Sequence, residues 1–159
     1  MRYLIVVDMQ NDFVTGSLGS KMAEMIVPAV CEKIRRYKAQ GSTVFMTLDT
    51  HFKDYLETPE GKKLPVEHCI KGTEGWQPET QVAEAIGGSA EVYEKSTFGS
   101  AELAQHLAEI TKAGDEIELC GLCTDICVVS NALLIKAFCP ECEVIVDANA
   151  CAGVTEGSH

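Results

Sequence analysis

Apolar and polar positions alternate along the chain in two periods. Tyr3–Val7 is an unbroken apolar run, as in a strand buried on both faces. In residues 22–40, Met22, Met25, Ile26, Ala29, Val30, Lys33, Ile34 and Tyr37 recur at helical spacing. Pro28 falls inside that window, so the helix either kinks or starts near Val27, and Gly41 closes it. Thr43–Leu48 reads as a second strand. Residues 50–78 are polar, with Pro and Gly throughout, and read as one long loop. Next come a short helix around Glu79–Ile86, a strand at Glu91–Tyr93, and a helix at Ala101–Ile110 capped by Ser100. Ile117–Cys120 is a fourth strand. A helix starting at Thr124 or Asp125 runs to about Phe138, and Val144–Val146 is a fifth strand. The final ACAGVTEGSH reads as a loop leading into a helix.

Strands alternating with helices imply a central parallel sheet covered on both faces, a three-layer α/β/α fold. No repeat or linker divides residues 1–159, so one domain is expected. In such sheets sites form outside the carboxyl ends of the strands, near the switch in strand order.

Composition narrows the class. Hydrophobic residues make up 46% and charged residues 23% of 159 residues, as in a soluble globular domain. The net charge of −11 argues against a nucleic-acid partner, which would need a basic face. No apolar stretch approaches the roughly 18 residues of a membrane span. MRYLIVVDMQ does not read as a signal peptide, because its apolar run is short and ends in Asp8. Eight cysteines without such a signal suggest a reducing cytoplasm and free thiols. Cys139 and Cys142 form a CPEC, half of a zinc ribbon or a redox pair, whose other half is missing.

The strand ends carry the chemistry. Strand one ends in Asp8, strand two in Asp49 and then His51, strand three in Glu94 and Lys95, and strand four in GLCTDIC. Each has an ordinary reading. Asp8 suits a turn, Lys95 a solvated surface, and Cys123 and Cys127 a small apolar filling. Together they supply what amide hydrolysis needs. Cys123 or Cys127 would be the nucleophile, with a helix N-terminus and a lysine to favour its thiolate. Asp8 would carry the proton. Spacing alone does not choose between the two cysteines.

The motifs DMQNDF at 8–13, DTH at 49–51, EKSTFGS at 94–100 and GLCTDICV at 121–128 resemble the isochorismatase-like cysteine hydrolases, and the nicotinamidase branch most. The resemblance runs from Tyr3 to Thr155. It implies a nucleophile at Cys127, which forms a thioester with the substrate, with Asp8 and Lys95 as its catalytic partners. It also implies a cis peptide at Leu122–Cys123 and an oxyanion hole from the N–H groups of Cys123 and Cys127. Asp49, His51, Glu60 and His68 match, in order, the ligands of a divalent metal, zinc first and manganese or iron next. Phe13 matches an aromatic that lines the family's pocket. The implied substrate is a small carboxamide, nicotinamide first, and the family is often homo-oligomeric. Two departures stand out. LPVEHC has Leu64 where nicotinamidases often carry an aromatic, and members usually continue past an ACAGVT-like segment into another helix and strand. The competing readings are an isochorismatase-type or other small-amide hydrolase and, from another class, a metal- or redox-sensing binding protein.

Overall fold

A computed structural model describes residues 1–159. Five strands form one sheet: Arg2–Val7 (β1), Thr43–Asp49 (β2), Glu91–Lys95 (β3), Glu116–Leu122 (β4) and Glu143–Ala152 (β5). Their order is β3-β2-β1-β4-β5, and every pairing is parallel. The helices are Asn11–Val14 (α1), Lys21–Ala39 (α2), Pro59–Lys63 (α3), Thr80–Ile86 (α4), Ala101–Ile110 (α5) and Val129–Phe138 (α6).

The period-two alternation of β1 builds the three layers. Leu4 and Val6 pack with Val30 and Ile34 of α2 and Val82 of α4. Tyr3, Ile5 and Val7 face the other way, onto Leu103 and Leu107 of α5 and Ile135 of α6. Both faces of the strand are sealed, so truncating the fully enclosed Ile5 to Ala would destabilise by about 2–5 kcal/mol. Lys33, at an apolar position of α2, reaches Glu118 of β4 (2.6 Å) and Asp147 of β5 (2.8 Å), so its buried charge is paired.

Three expectations are corrected or narrowed. Of the two alternatives at Pro28, the later start is excluded: α2 begins at Lys21 and runs through Pro28. Pro28 lies on the exposed face, where the carbonyl that loses its partner can be solvated. Ser20 accepts from Ala23 N (3.0 Å) to cap the true start. Met25 also lies in water, and the opposite face buries Ala23, Val27 and Cys31 instead. Secondly, residues 50–78 are not one featureless loop. They contain α3 and two single 3-10 turns, Tyr55–Glu57 and Glu74–Trp76. Thirdly, β5 extends through Asn149 and Cys151 to Ala152, so ACA is strand rather than loop. The polar Asp147 and Asn149 interrupt its apolar run because it is an edge strand with an exposed side.

The chain builds β2 and β3 on one side of β1, then crosses to β4 and β5 on the other. The order therefore switches between β1 and β4, whose carboxyl ends deliver Asp8 and Cys123. Gly121 makes their close approach feasible. At its φ of +116° a Cβ would lie 2.2 Å from the Val7 carbonyl oxygen, so no other residue fits without moving β1.

Candidate active site

Asp8 follows β1 in a left-handed conformation, φ +49°, which costs a non-glycine residue about 1–2 kcal/mol. Its N–H donates to Thr47 O (3.1 Å), and the Thr47 hydroxyl donates to Asp8 Oδ1 (2.7 Å). That leaves Oδ2 facing the ammonium of Lys95 at 2.8 Å. Lys95 ends β3 and reaches across the end of β2. Its Nζ also lies 3.4 Å from Cys127 Sγ, 3.2 Å from Thr97 O and 3.6 Å from Asp49 Oδ1. Asp8, Lys95 and Cys127 are all buried.

Cys127 sits in a π-helical turn, Thr124–Val128, that precedes α6. Cys123 O accepts from both Ile126 N (3.1 Å) and Val128 N (3.0 Å), which widens the turn. The Leu122–Cys123 peptide is cis, as the resemblance implies. Asn131, fully buried one turn further on, locks this turn to the loop after β3. Its amide donates to Cys127 O (2.8 Å) and Phe98 O (3.1 Å), and its oxygen accepts from Ser100 N (2.9 Å).

The electrostatics correct one expectation. Burial, then the charges of Asp8 and Asp49, push the Cys127 thiol well above its ordinary range, and the opposing pull of Lys95 does not offset them. These surroundings favour the thiol, against the pull of the helix N-terminus and the lysine toward the thiolate. Burial also raises the Asp8 carboxyl, with Lys95 acting against it. Burial works against the Lys95 charge, but Asp8, Cys127 and Asp49 hold its ammonium well above the usual range.

Asp49 and His51 leave the end of β2, and His68 returns from the far side of the loop. One ligand atom from each lies within 4.8 Å of the others. His51 Nε2 is 3.0 Å and His68 Nε2 3.4 Å from Asp49 Oδ2. Glu60, partly exposed on α3, stands at the rim, 3.4 Å from His51 Nε2 and 3.7 Å from His68 Nε2. His68 Nδ1 lies 2.8 Å from Val66 O; donating to it would leave Nε2 as the free lone pair. Tyr55, missed in the sequence, packs its ring 4.7 Å from that of His51 and 4.9 Å from that of His68.

This donor set fits a divalent cation. Burial would raise Asp49, but hydrogen bonds from His51 and His68 and the charge of Lys95 hold its carboxyl below the usual range. Burial would lower His68, yet Asp49, Val66 O and Glu60 draw a proton onto it. A cluster that gathers a proton in this way has surplus negative charge, and a divalent ion would take the proton's place. The CPEC cysteines gather no third ligand. They are buried beneath the turn before β4, where Cys142 Sγ donates to Lys112 O (3.6 Å).

Cys127, from the first group, and Asp49, His68 and Glu60, from the second, open onto one cavity of 410 Å³. Cys123, Cys127, Asp49, Glu60 and His68 supply its polar wall, and Phe13, Leu18, Leu122 and Ile126 much of the apolar remainder. Phe13 lies against His68, with ring centroids 5.5 Å apart. Leu64 and Phe98 separate this cavity from an outer groove. The structure thus brings together Asp8, Phe13, Asp49, His51, Glu60, His68, Lys95, Cys123 and Cys127, while Glu94 pairs with Lys71 on the surface and the CPEC cysteines lie elsewhere. Thr47, Gln10, Asp12, Tyr55 and Asn131 went unnoticed there. Only Asn131, a lone amide in an apolar helix four residues after Cys127, carried a readable signal.

Comparison with known proteins agrees with this fold. The model of the isochorismatase domain matches residues 2–159. A curated relative, an isochorismatase family protein PncA of Bacillus subtilis, is 28% identical over 98% of this chain and 88% of its own. The solved nicotinamidase/pyrazinamidase PncA from Bacillus subtilis superimposes with a TM-score of 0.84 at 26% identity, covering 99% of this chain and 90% of that one. A pyrazinamidase of Pyrococcus horikoshii in complex with zinc gives 0.80 at 28% identity, over 99% of this chain and 89% of its own.

Proposed function

The chain belongs to the isochorismatase family, and we propose that it is a cysteine amidohydrolase that cleaves a small carboxamide to a carboxylate and ammonia. One observation carries this reading. The Lys95 ammonium lies 2.8 Å from Asp8 and 3.4 Å from Cys127, whose thiol lines a largely apolar cavity.

Because burial and the nearby carboxylates favour the thiol, its activation is a proton transfer. Asp8 takes the proton as Cys127 Sγ attacks the carboxamide carbon and the C–S bond forms. The N–H groups of Cys123 and Cys127 receive the oxyanion. The C–N bond then breaks, Asp8 returns the proton to nitrogen, and ammonia leaves a thioester on Cys127. Water adds to that thioester, again losing a proton to Asp8. The C–S bond breaks, Asp8 returns that proton to sulfur, and the acid departs, giving its remaining proton to ammonia or water to become the carboxylate. Lys95 keeps its charge throughout and holds Asp8 anionic when the proton is away.

Asp49, His51 and His68, with Glu60 at the rim, would hold a divalent metal, and nitrogen and oxygen donors of this kind suit zinc, with manganese or iron next. Bound there, the ion would supply a coordination position for a pyridine nitrogen beside the nucleophile. Phe13 would stack on the ring, so that its carboxamide faces Cys127. Nicotinamide is therefore the first candidate substrate. Leu64 favours a second reading, a small-amide hydrolase of the same fold with another acyl group. It is 40% exposed and leaves the mouth open where an aromatic would narrow it.

Ammonia release over a panel of carboxamides, with nicotinamide and pyrazinamide beside aliphatic amides and N-carbamoyl amino acids, tests both. Nicotinamide should lead the panel. Turnover confined to non-aromatic amides would select the second reading, and no turnover would remove both.

A further inference from the structure

We infer that Gln10 and Asp12 are positioning residues for the metal centre: resting on the reading of Asp49, His51 and His68 as ligands, they hold the two ends of the segment that carries those ligands. Gln10 is fully buried. Its Oε1 accepts from Asp49 N (2.8 Å), and its Nε2 donates to Asp49 O (2.9 Å) and to Trp76 O (2.9 Å). One side chain thus pairs with both main-chain groups of Asp49, as a neighbouring strand would. It also ties that residue to the far end of the loop.

Asp12 does the same for the returning ligand. Its Oδ2 accepts from Cys69 N (2.8 Å), the peptide immediately after His68. Cys69 has φ +49°, a conformation a non-glycine residue keeps only where its surroundings enforce it. Cys69 O in turn accepts from His51 N (2.9 Å), so the Asp12 contact feeds into the backbone of a second ligand. Gly75 leaves room for the carboxylate: a Cβ there would lie 2.2 Å from Asp12 Oδ2.

The reason for two such holds is geometric. Asp49 and His51 share one strand end, but His68 arrives after a long excursion, and a metal tolerates little misplacement of its ligands. Fixing the main chain on both sides of that excursion lets the side chains converge without the ion. Gln10 and Asp12 lie in the same short stretch as Asp8. A single turn after β1 therefore supplies the proton carrier and the holds on the metal ligands.

Zinc affinity, measured on the metal-stripped protein by competition with a chelating dye, tests this without relying on turnover. Asp12→Ala should bind zinc about 10–100-fold more weakly, as loss of an orienting partner does. Asp12→Asn, which still offers an oxygen to Cys69 N, should stay close to wild type. Gln10→Glu keeps the acceptor for Asp49 N but sets an oxygen against two carbonyls, so it too should bind weakly. The alkylation rate at Cys127 should be unchanged in all three, which separates a local effect from general loosening. If Asp12→Ala does not fold, Gly75→Ala presses on the same carboxylate and is held to the same criterion. A wild-type chain that takes up no zinc overturns the metal reading and this inference with it. Zinc bound by wild type and as tightly by Asp12→Ala or its substitute overturns the positioning role alone, as does an Asp12→Asn as weak as Asp12→Ala.

Discussion

Lys95 and Asp8 end strands that do not touch, β3 and β1, yet their charges meet at 2.8 Å over the end of β2. Both side chains are nearly sealed from water. An ion pair so enclosed adds little net stability, but removing one partner leaves the other unpaired. Lys95→Met should therefore lose at least about 100-fold in turnover. It should remain folded, because Asp8 can take up a proton when its partner is gone. Steady-state kinetics beside a urea titration check this, and near-normal turnover would make Lys95 a structural ion-pair partner only.

Two thiols line the cavity, and only one should be needed. Burial raises Cys123 to about 12, and it makes no contact with Lys95 like that of Cys127. Cys127→Ala should abolish ammonia release, while Cys123→Ala, which keeps its backbone N–H, should retain most of it. The reverse pattern would move the nucleophile to Cys123.

Asn131 should matter to stability and rate together. Asn131→Ala strips the partners from Ser100 N, Cys127 O and Phe98 O at once. Buried groups left unpaired cost about 1–3 kcal/mol each, so the urea midpoint should fall clearly. Turnover should fall as well, because the loop after Lys95 is no longer tied to the turn that carries Cys127.

Alkali should weaken the fold near the ordinary thiol range. Burial raises Cys31, Cys120 and Cys139 above that range and pushes Cys151 up to about 11. In the unfolded chain these thiols ionise near pH ~8.5. Above that pH the unfolded chain binds fewer protons than the folded one, so stability is fully present below it and falls as pH rises. Urea midpoints under reductant should be lower at pH 10 than at pH 7.5. An unchanged midpoint would mean that the thiols titrate alike in both states.

Chelation should separate binding from nucleophilicity. Stripping the metal should cut nicotinamide hydrolysis at least about 10-fold, as lost positioning does, while iodoacetamide still labels Cys127. His51→Ala should behave as the stripped enzyme does. Equal turnover with and without metal would leave the Asp49, His51 and His68 cluster a structural feature.

Most of the fold was legible because buried parallel strands such as Tyr3–Val7 are written as apolar runs. β5 was read short because its exposed edge breaks that pattern at Asp147 and Asn149. The start of α2 was left open between two positions because Pro28 signals a break only where its lost hydrogen bond is not solvated. In the site, Asp8, Asp49, His51, Lys95 and the two cysteines could be found at strand ends, while Phe13, Glu60, His68 and the choice of Cys127 came from the family resemblance. Gln10, Asp12 and Thr47 could not, because each acts by a hydrogen bond to a residue distant in sequence. The upward push on the Cys127 thiol was equally hidden. It depends on burial and on two carboxylates from other strands, while the local sequence shows only a helix start.

The central claim is that Cys127 carries the acyl group during turnover. Acid-quenching the enzyme in the presence of nicotinamide, followed by intact-protein and peptide mass spectrometry, tests it directly. The account predicts a nicotinoyl adduct on the peptide that contains Cys127, labile to hydroxylamine and absent from Cys127→Ala. Full turnover with no adduct on any cysteine, or ammonia release that survives Cys127→Ala, would contradict it.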